Sequence, residues 1–482
     1  MSAQPPRLSR ASLDRLNPGV ARPLYGENDT GVIIGVVHFG PGAFHRAHQA
    51  AYFDDLLGRD PRWGISAVSL KSPGVRDALR PQDGLYSLAL MGETVRWRVI
   101  GSIRELMVAP EQPEAVFARL TAGQTRLVTL TVTEKGYCLA GDGALDLDHP
   151  DIRHDLTHAE APPLSVIGWL AEGLRRRRAA GLGPFTVLSC DNLADNGRKL
   201  GAAVAAFTRQ RDPDLARWIE GEVRFPRAMV DAITPATDDA LRARAVEALG
   251  LTDTWPIQRE AFIQWVVEDV LGPEGPDLGR VGVTLTDDVS AFDRAKLRLL
   301  NGAHSSLAYL GVLKGHETVG EAMGDRALAA FVRTLMVEDI KPSLTAPRGL
   351  DLDRYIDDVL ARFRNPSIRH LLSQIAWDGS QKLPVRLLGT VRDAFAARRP
   401  LDRLARPVAA WMRFIVGRAR SGEAPIDPMA SGLMRVGGAC REEAAHDVGL
   451  FLGLEPVFGA DLPASPFREA LERAYTDLLV RA

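Results

Sequence analysis

The sequence predicts an α/β fold: a largely parallel sheet covered by helices in the N-terminal part, then a second, mostly α-helical domain. Three observations lead there. Between about residues 31 and 280, short β-branched runs alternate with segments of helical periodicity. Parallel strands joined by crossover helices read this way. One stretch, HFGPGAFHRAHQ (38–49), runs from a strand through spaced glycines into a helix. After about residue 285 convincing strands disappear and helical spacing remains. The expected domains are residues 1–284, with 1–30 as a Pro- and Arg-rich extended arm, and residues 285–482. A length of 482 residues suits two or three domains of roughly 150 residues each.

The elements follow in order. GVIIGVVHFG (31–40) is β-rich and ends in glycine, which makes it the first strand. GAFHRAHQAAYFDDLL (42–57) has apolar residues at helical spacing. WGISAVSLK (63–71), WRVIGSI (97–103) and RLVTLTVTEKGY (126–137) are further strands. SVIGWLAEGLRRRRAAG (165–181) is a helix, and FTVLSCDNL (185–193) is the strand after it. The C-terminal part reads as helices over 291–313, 326–340, 353–363, 383–399 and 404–419. No internal repeat and no long low-complexity segment interrupts them.

Composition excludes several function classes. Hydrophobic residues are 46% and charged residues 25% of the chain, an ordinary globular balance. The net charge of −2 implies no polyanionic partner. The one dense basic run, Arg175–Arg178, closes a helical pattern and reads as a solvated helix end rather than a nucleic-acid patch. Cys138, Cys190 and Cys440 are scattered, without CxxC spacing, so a reducing compartment is expected. The N-terminus lacks the apolar core of a signal peptide, and no apolar run approaches the roughly 20 residues of a membrane span. A cytoplasmic protein is the expectation.

Gly40 and Gly42 match the first two glycines of a G-x-G-x-x-G turn, with His45 at the third position. Glycine lets the backbone turn tightly and approach a pyrophosphate, and a helix N-terminus offers unpaired N–H groups. The N-terminal domain is therefore expected to be Rossmann-like and to bind NAD or NADP. Its candidate nucleotide contacts are Phe39, Gly40, Gly42, Ala43 and Phe44 at the turn, with Thr133 and Glu134 further on. The second strand ends SLKSPGVRD, where an acid would hold the ribose hydroxyls of NAD. Lys71 and Arg76 could instead meet a 2′-phosphate, and the choice between cofactors stays open. His38, His45 and His48 could be read as metal ligands, but no cysteine or acidic partner stands at a suitable spacing. The expectation is no metal, with the histidines capping the turn or packing on the cofactor.

KLRLLNGAH (296–304) sets Lys296, Asn301 and His304 into an otherwise apolar helix. In a regular helix, Asn301 lies about 140° and His304 about 80° from Lys296, so all three share one arc. That arc faces either water or a site. Oxidation of an alcohol by hydride transfer needs a proton acceptor, and a buried lysine can serve once its pKa falls from ~10.4. Amide side chains can then hold the developing alkoxide without adding charge. Asn192, at the end of the strand FTVLSCDN, is a second amide where open α/β sheets gather ligands.

Over nearly its whole length, from about residue 20 to 475, the chain resembles the long-chain polyol dehydrogenase family. That family includes mannitol 2-dehydrogenases and fructuronate reductases. The motifs that carry the resemblance are HFGPGAFHRAHQ (38–49), LTVTEKGYC (130–138), FTVLSCDN (185–192), FPRAMVDAITP (225–235), QWVVED (264–269), KLRLLNGAHSSLAYLG (296–311) and QIAWDGSQKLPVRLL (374–388). The resemblance implies a metal-independent enzyme using a nicotinamide cofactor. It implies Lys296 as general base, Asn192 and Asn301 as the oxyanion hole, and His304 orienting substrate and lysine. It also implies contacts from Asp231 and Lys382 to the sugar chain, and Asp293 as an acid near the lysine. The chain departs at Ala232, where the family usually has arginine, at Ala303, and at Gln374, where mannitol 2-dehydrogenases tend to have arginine. Gln374 and TVTEKGY look more like the fructuronate reductase branch, and Arg369 and His370 could meet a substrate carboxylate.

The expected activity is reversible oxidation of a secondary alcohol in an open-chain polyol or aldonate, first D-mannonate to D-fructuronate. Mannitol to fructose, or another polyol pair, comes next. A nucleotide-binding sensor without turnover is the rival of another class. The partner is a small molecule, with neither nucleic acid nor membrane involved, and a monomer is favoured.

Overall fold

The computed structural model describes residues 5–23, 25, 31–462 and 466–480. The chain forms two compact units, Met1–Ser290 and Ala291–Ala482. In the first, five strands make a parallel sheet: β1 (Ile34–Phe39), β2 (Gly64–Ser69), β5 (Ile103–Val108), β6 (Leu127–Leu130) and β7 (Thr186–Ser189). Their spatial order is β5-β2-β1-β6-β7. The order reverses between β1 and β6, the switch point outside which α/β sheets bind ligands. β3 (Tyr86–Met91) and β4 (Val95–Ile100) form a second sheet with β9 (Ile257–Glu260). β8 (Ala228–Asp231), β10 (Gln264–Glu268) and β11 (Thr284–Thr286) form a third.

The inner strands β1, β2 and β6 are buried on both faces, which is why they read as nearly continuous apolar runs, whereas the edge strand β5 carries Arg104 and Glu105. On one face Val37, Phe39, Val128 and Val187 pack with Phe117, Trp169 and Leu200 from helices. On the other, Val36, Ile65, Ala67 and Leu188 pack with Phe53 and Leu56 of the helix Gln49–Leu57 and with Trp265 of β10. Neighbours such as Val36 and Val37 thus enter different cores, as the strand period of two requires.

Several expectations are corrected. WRVIGSI is two strands of different sheets, β4 and β5, parted at Gly101 and Ser102. TVTEKGY is not the end of a strand: β6 stops at Leu130, and a 3₁₀ turn covers Glu134–Tyr137. The helix after the glycine turn breaks at His48, whose φ of −112° and ψ of −89° separate Ala43–Ala47 from Gln49–Leu57. Within the arm, Leu8, Leu13 and Leu16 are buried against Leu85, Val99 and Leu249 around a 3₁₀ turn; residues 1–4, 24 and 26–30 lie outside the described residues. The run Arg175–Arg178 is not wholly solvated. Arg177 is 1% exposed and donates to the carbonyls of Leu120, Ala122 and Gly183, while Arg175 and Arg176 pair with Glu172.

The second unit is helical. Its helices include Gly302–Leu313, Arg326–Thr334, Leu352–Phe363, Gly389–Ala396, Asp402–Ser421 and Phe467–Val480. Three stretches expected to be regular are π turns instead: Lys296–Asn301, Leu335–Ile340 and Pro384–Leu388. Among the described residues no helix is long and apolar enough to cross a membrane.

Candidate active site

In the first unit, the candidate residues gather at the carboxyl ends of β1, β6 and β7. Gly40 follows β1 directly with φ of +90°, and a Cβ there would stand 2.2 Å from the Thr131 carbonyl oxygen. Only glycine fits that turn. At Gly42 nothing crowds an added Cβ closer than the Gly40 oxygen at 3.9 Å, so a ligand can approach the backbone. The first N–H groups of the helix beginning at Ala43 have no intrahelical acceptor. Phe39 is fully buried, whereas Phe44 is partly exposed and stacks on His48 with ring centroids 4.9 Å apart.

The three histidines beside this turn are fully buried. His38 is fully buried, and its Nε2 lies 3.1 Å from the Gly40 carbonyl oxygen and 3.0 Å from Thr131 Oγ1. A carbonyl only accepts, so Nε2 carries the proton and Nδ1 accepts from Thr129 Oγ1 at 2.8 Å. Burial lowers its pKa to about 3. His45, where a third glycine was sought, is fully buried with its ring 3.3 Å from that of His38. Burial pushes it well below the usual value, and His38, Arg46 and His48 add to the shift. His48 lies 2.9 Å from the Gln264 carbonyl oxygen through Nε2. His38 ties the turn to Thr129 and Thr131 at the end of β6, His48 ties it to Gln264 of β10, and His45 packs on His38 with both ring nitrogens unpaired among the described residues. Among the described residues no group of three or more His, Cys, Asp or Glu side chains is placed to hold a metal ion.

Asp191 is a residue the sequence reading passed over. Its carboxylate accepts the Val132 and Thr133 N–H groups, at 3.0 and 2.9 Å, and the Tyr137 hydroxyl at 2.6 Å. Burial raises its pKa, and these three donors oppose the rise. The clamp holds Thr133 at φ of +66°, a costly position for a β-branched residue. Strain of this kind clusters at ligand sites. Thr133, Glu134 and Asn192 are exposed around the clamp. The signal was present in the sequence as the acid of SCDN and the tyrosine of EKGY. Their spacing of 54 residues gave no cue that they meet. Asp231 ends β8, buried and paired in register with Gln264. β2 ends at Ser69, followed by an exposed Lys71; Arg76 is taken up by Asp77 and Glu111.

In the second unit, Lys296 and His304 are both 8% exposed. The helix carrying them runs Val289–Ala295, passes through the π turn Lys296–Asn301, and resumes as Gly302–Leu313. Within the π turn the Gly302 N–H donates to the Leu297 carbonyl, five residues back. At that pitch five residues advance only about 50° past a full turn, against about 140° in an α-helix. Lys296, Asn301 and His304 therefore lie within an arc of about 60°, tighter than the regular helix allows. Gly302 permits the neighbouring π turn to approach: a Cβ there would stand 2.8 Å from the Arg386 carbonyl oxygen.

His304 stacks on Phe363, with centroids 4.4 Å apart, and meets the edge of His370 at 5.0 Å. Burial holds it well below the ordinary imidazole pKa, and His370, Arg362, Arg386 and Lys382 push the same way. It is a neutral ring in a cation-rich setting. Lys382 and Arg386 are themselves lowered, chiefly by burial. Arg386 donates to Ser305 Oγ at 3.2 Å. The structure does not bring Arg369 to this group. Its guanidinium is 72% exposed and pairs with Glu317 at 2.8 Å, whereas its neighbour His370 reaches His304. Gln374 is also exposed. Phe363, Arg362 and Arg386 are the residues missed here, because their helix and π turn are far in sequence from His304.

A doubly wound parallel sheet with a glycine turn at its switch point defines a dinucleotide-binding protein of the oxidoreductase class. Comparison with known proteins narrows it. The Mannitol dehydrogenase Rossmann domain matches residues 34–277, and the Mannitol dehydrogenase C-terminal domain matches residues 288–479. The chain belongs to the mannitol dehydrogenase family, whose enzymes oxidise secondary alcohols. It is 42% identical to D-mannonate oxidoreductase of Escherichia coli, covering 92% of this chain and 93% of that one. It is 38% identical to mannitol 2-dehydrogenase of Phaeosphaeria nodorum, covering 95% and 80%. Among solved structures it is similar to Pseudomonas fluorescens mannitol 2-dehydrogenase in ternary complex with NAD and D-mannitol. That match has a TM-score of 0.81 at 38% identity and covers 98% and 97% of the two chains.

Proposed function

We propose that this enzyme reversibly oxidises D-mannonate to D-fructuronate with NAD, using Lys296 as general base. The observation that carries the reading is the π turn Lys296–Asn301. It gathers a buried amine, a carboxamide and a neutral imidazole on one narrow helical face. Gly40, Gly42, Ala43 and Phe44 would hold the nucleotide at the turn, with Thr133 and Glu134 beside it. NAD supplies the acceptor for the hydride that leaves the carbinol carbon. Lys296, buried on the same helical face, takes the hydroxyl proton. Asn301 and Asn192 donate N–H groups to the oxygen as it gains negative charge, and fixed donors of this kind need no reorganisation during reaction. His304 orients the substrate without competing for the proton, because burial keeps it neutral across the working range. Asp231 and Lys382 bind the polyol chain.

The cations near His304 favour an acid substrate over a neutral one. Lys382, Arg386 and Arg362 all act on that ring, and a carboxylate entering there adds to Asp378, 3.9 Å from Lys382, in offsetting the repulsion of Lys382 by Arg386. The likeness to mannitol 2-dehydrogenase supports mannitol as the second substrate to try. The test is a steady-state screen of D-mannonate, D-mannitol, D-arabinitol and D-sorbitol, followed by nicotinamide absorbance. D-mannonate should give the highest kcat/KM. Lys296→Ala should lower kcat by about 10²–10⁴-fold, the usual worth of a positioned proton acceptor, with NADH affinity unchanged. Wild-type turnover in that variant removes the mechanism, and a preference for a neutral polyol removes the substrate.

A further inference from the structure

The second unit holds a cavity that the proposed chemistry does not use. It has a volume of about 520 Å³, inside the roughly 300–1,000 Å³ range of small-molecule sites. Four helices enclose it: Gly302–Leu313, Arg326–Thr334, Asp402–Ser421 and Phe467–Val480. Its apolar lining comes from Leu310 and Leu313 on the first helix and Leu328 and Phe331 on the second. Leu310 and Leu328 are buried, whereas Leu313 is 41% exposed at the mouth.

Every charged residue lining this cavity is a cation. Arg403, Arg406 and Arg413 fall at i, i+3 and i+10 of one helix, within an arc of about 80°. Lys314 joins them from the end of the first helix. Three of the four already have carboxylate neighbours. Lys314 lies 2.5 Å from Asp325, Arg403 lies 2.9 Å from Glu338, and Arg413 lies 3.6 Å from Glu442. Arg406 has none among the described residues. Its guanidinium carbon lies 5.6 Å from the centre of the Phe331 ring instead. A half-buried guanidinium over an apolar floor, with its fork unspent, is built to take a planar anion through two parallel hydrogen bonds.

We propose that this cavity binds a small amphipathic monoanion, a medium-chain carboxylate whose head pairs with Arg406 and whose tail lies among Leu310, Leu328 and Phe331. The tail gains by taking its methylenes out of water, and the head answers the one lining cation that lacks a carboxylate. A neutral ligand of the same length gives up the second contribution. A second copy of the chain would be a bulkier occupant, and the charge pattern favours the small anion.

Isothermal titration of the full-length protein with decanoate, below its micelle concentration, tests this. Saturable binding is expected, with decanol at least ten-fold weaker. Arg406→Glu should weaken decanoate at least ten-fold, and Leu313→Glu, a substitution at an exposed position, should weaken it too. NADH affinity should stay at the wild-type value in both variants, which shows that they fold. Absence of saturable heat overturns the proposal, as does equal binding of decanol or undiminished binding by both variants. So does a wild-type dimer in sedimentation equilibrium that Leu313→Glu dissociates.

Discussion

Arg386 and Lys382 are four residues apart in sequence, and both titrate below their ordinary values. Burial is the main cause for each, and for Lys382 the charge of Arg386 adds to it. Removing water from two like charges is costly, Asp378 at 3.9 Å from Lys382 offsets part of that cost, and a substrate carboxylate would offset more. The reading of D-mannonate over D-mannitol rests on this pair. Arg386→Leu should raise KM for D-mannonate at least ten-fold while changing KM for D-mannitol less than three-fold. Because Arg386 also donates to Ser305 Oγ, a merely structural role would raise both constants together. Arg386→Lys keeps the charge and should recover part of the D-mannonate affinity alone. Equal losses on the two substrates would remove the assignment.

The π turn Lys296–Asn301 is where the regular-helix reading of the sequence fell short. The residue types were legible: an amine, an amide and an imidazole among leucines point to a site. The wider pitch was not, because a π turn arises from how this segment packs against its neighbours, and no propensity in KLRLLN announces it. The same holds at Pro384–Leu388, whose approach depends on Gly302. In the sheet, β1, β2, β6 and β7 were readable because buried parallel strands are continuous apolar runs. β4 and β5 were merged because Gly101 and Ser102 separate them without a turn signal of Pro, Asn or Asp. The wider pitch makes a specific prediction. Deleting Leu297 leaves Lys296 and the asparagine four residues apart, about 40° in an α-helix, so the face survives. Inserting alanine after Leu297 turns Lys296 by about 100° off that face. The insertion should lower kcat at least 100-fold further than the deletion, measured at saturating NAD and substrate. A deletion variant as inactive as the insertion would show that the pitch itself does not set the face.

Across the whole molecule, buried neutral histidines tie stability to pH. His38 has its pKa lowered to about 3, and burial holds His45 and His304 well below the ordinary value of about 6.5. Each binds a proton readily in the unfolded chain and poorly in the folded one. Below pH ~6.5 the unfolded state therefore takes up more protons, and stability falls as the pH falls. A group fully in that window costs about 1.4 kcal/mol per pH unit. Buried carboxylates act in the opposite sense. Asp54, Asp191 and Asp339 are raised, chiefly by burial, so the folded state binds protons there that the unfolded state has lost. The net curve of the wild type mixes the two, and a difference between variants isolates one histidine. His45→Phe keeps a flat ring against His38 and removes one titrating group from the first unit. Between pH 6 and 5 the unfolding free energy of the variant should fall less steeply than that of the wild type, by up to one proton or about 1.4 kcal/mol per pH unit. Urea unfolding followed by tryptophan fluorescence at several pH values measures both slopes. Parallel slopes would mean that His45 titrates alike in the folded and unfolded chain, and that its ring is not the dry, neutral support of the glycine turn.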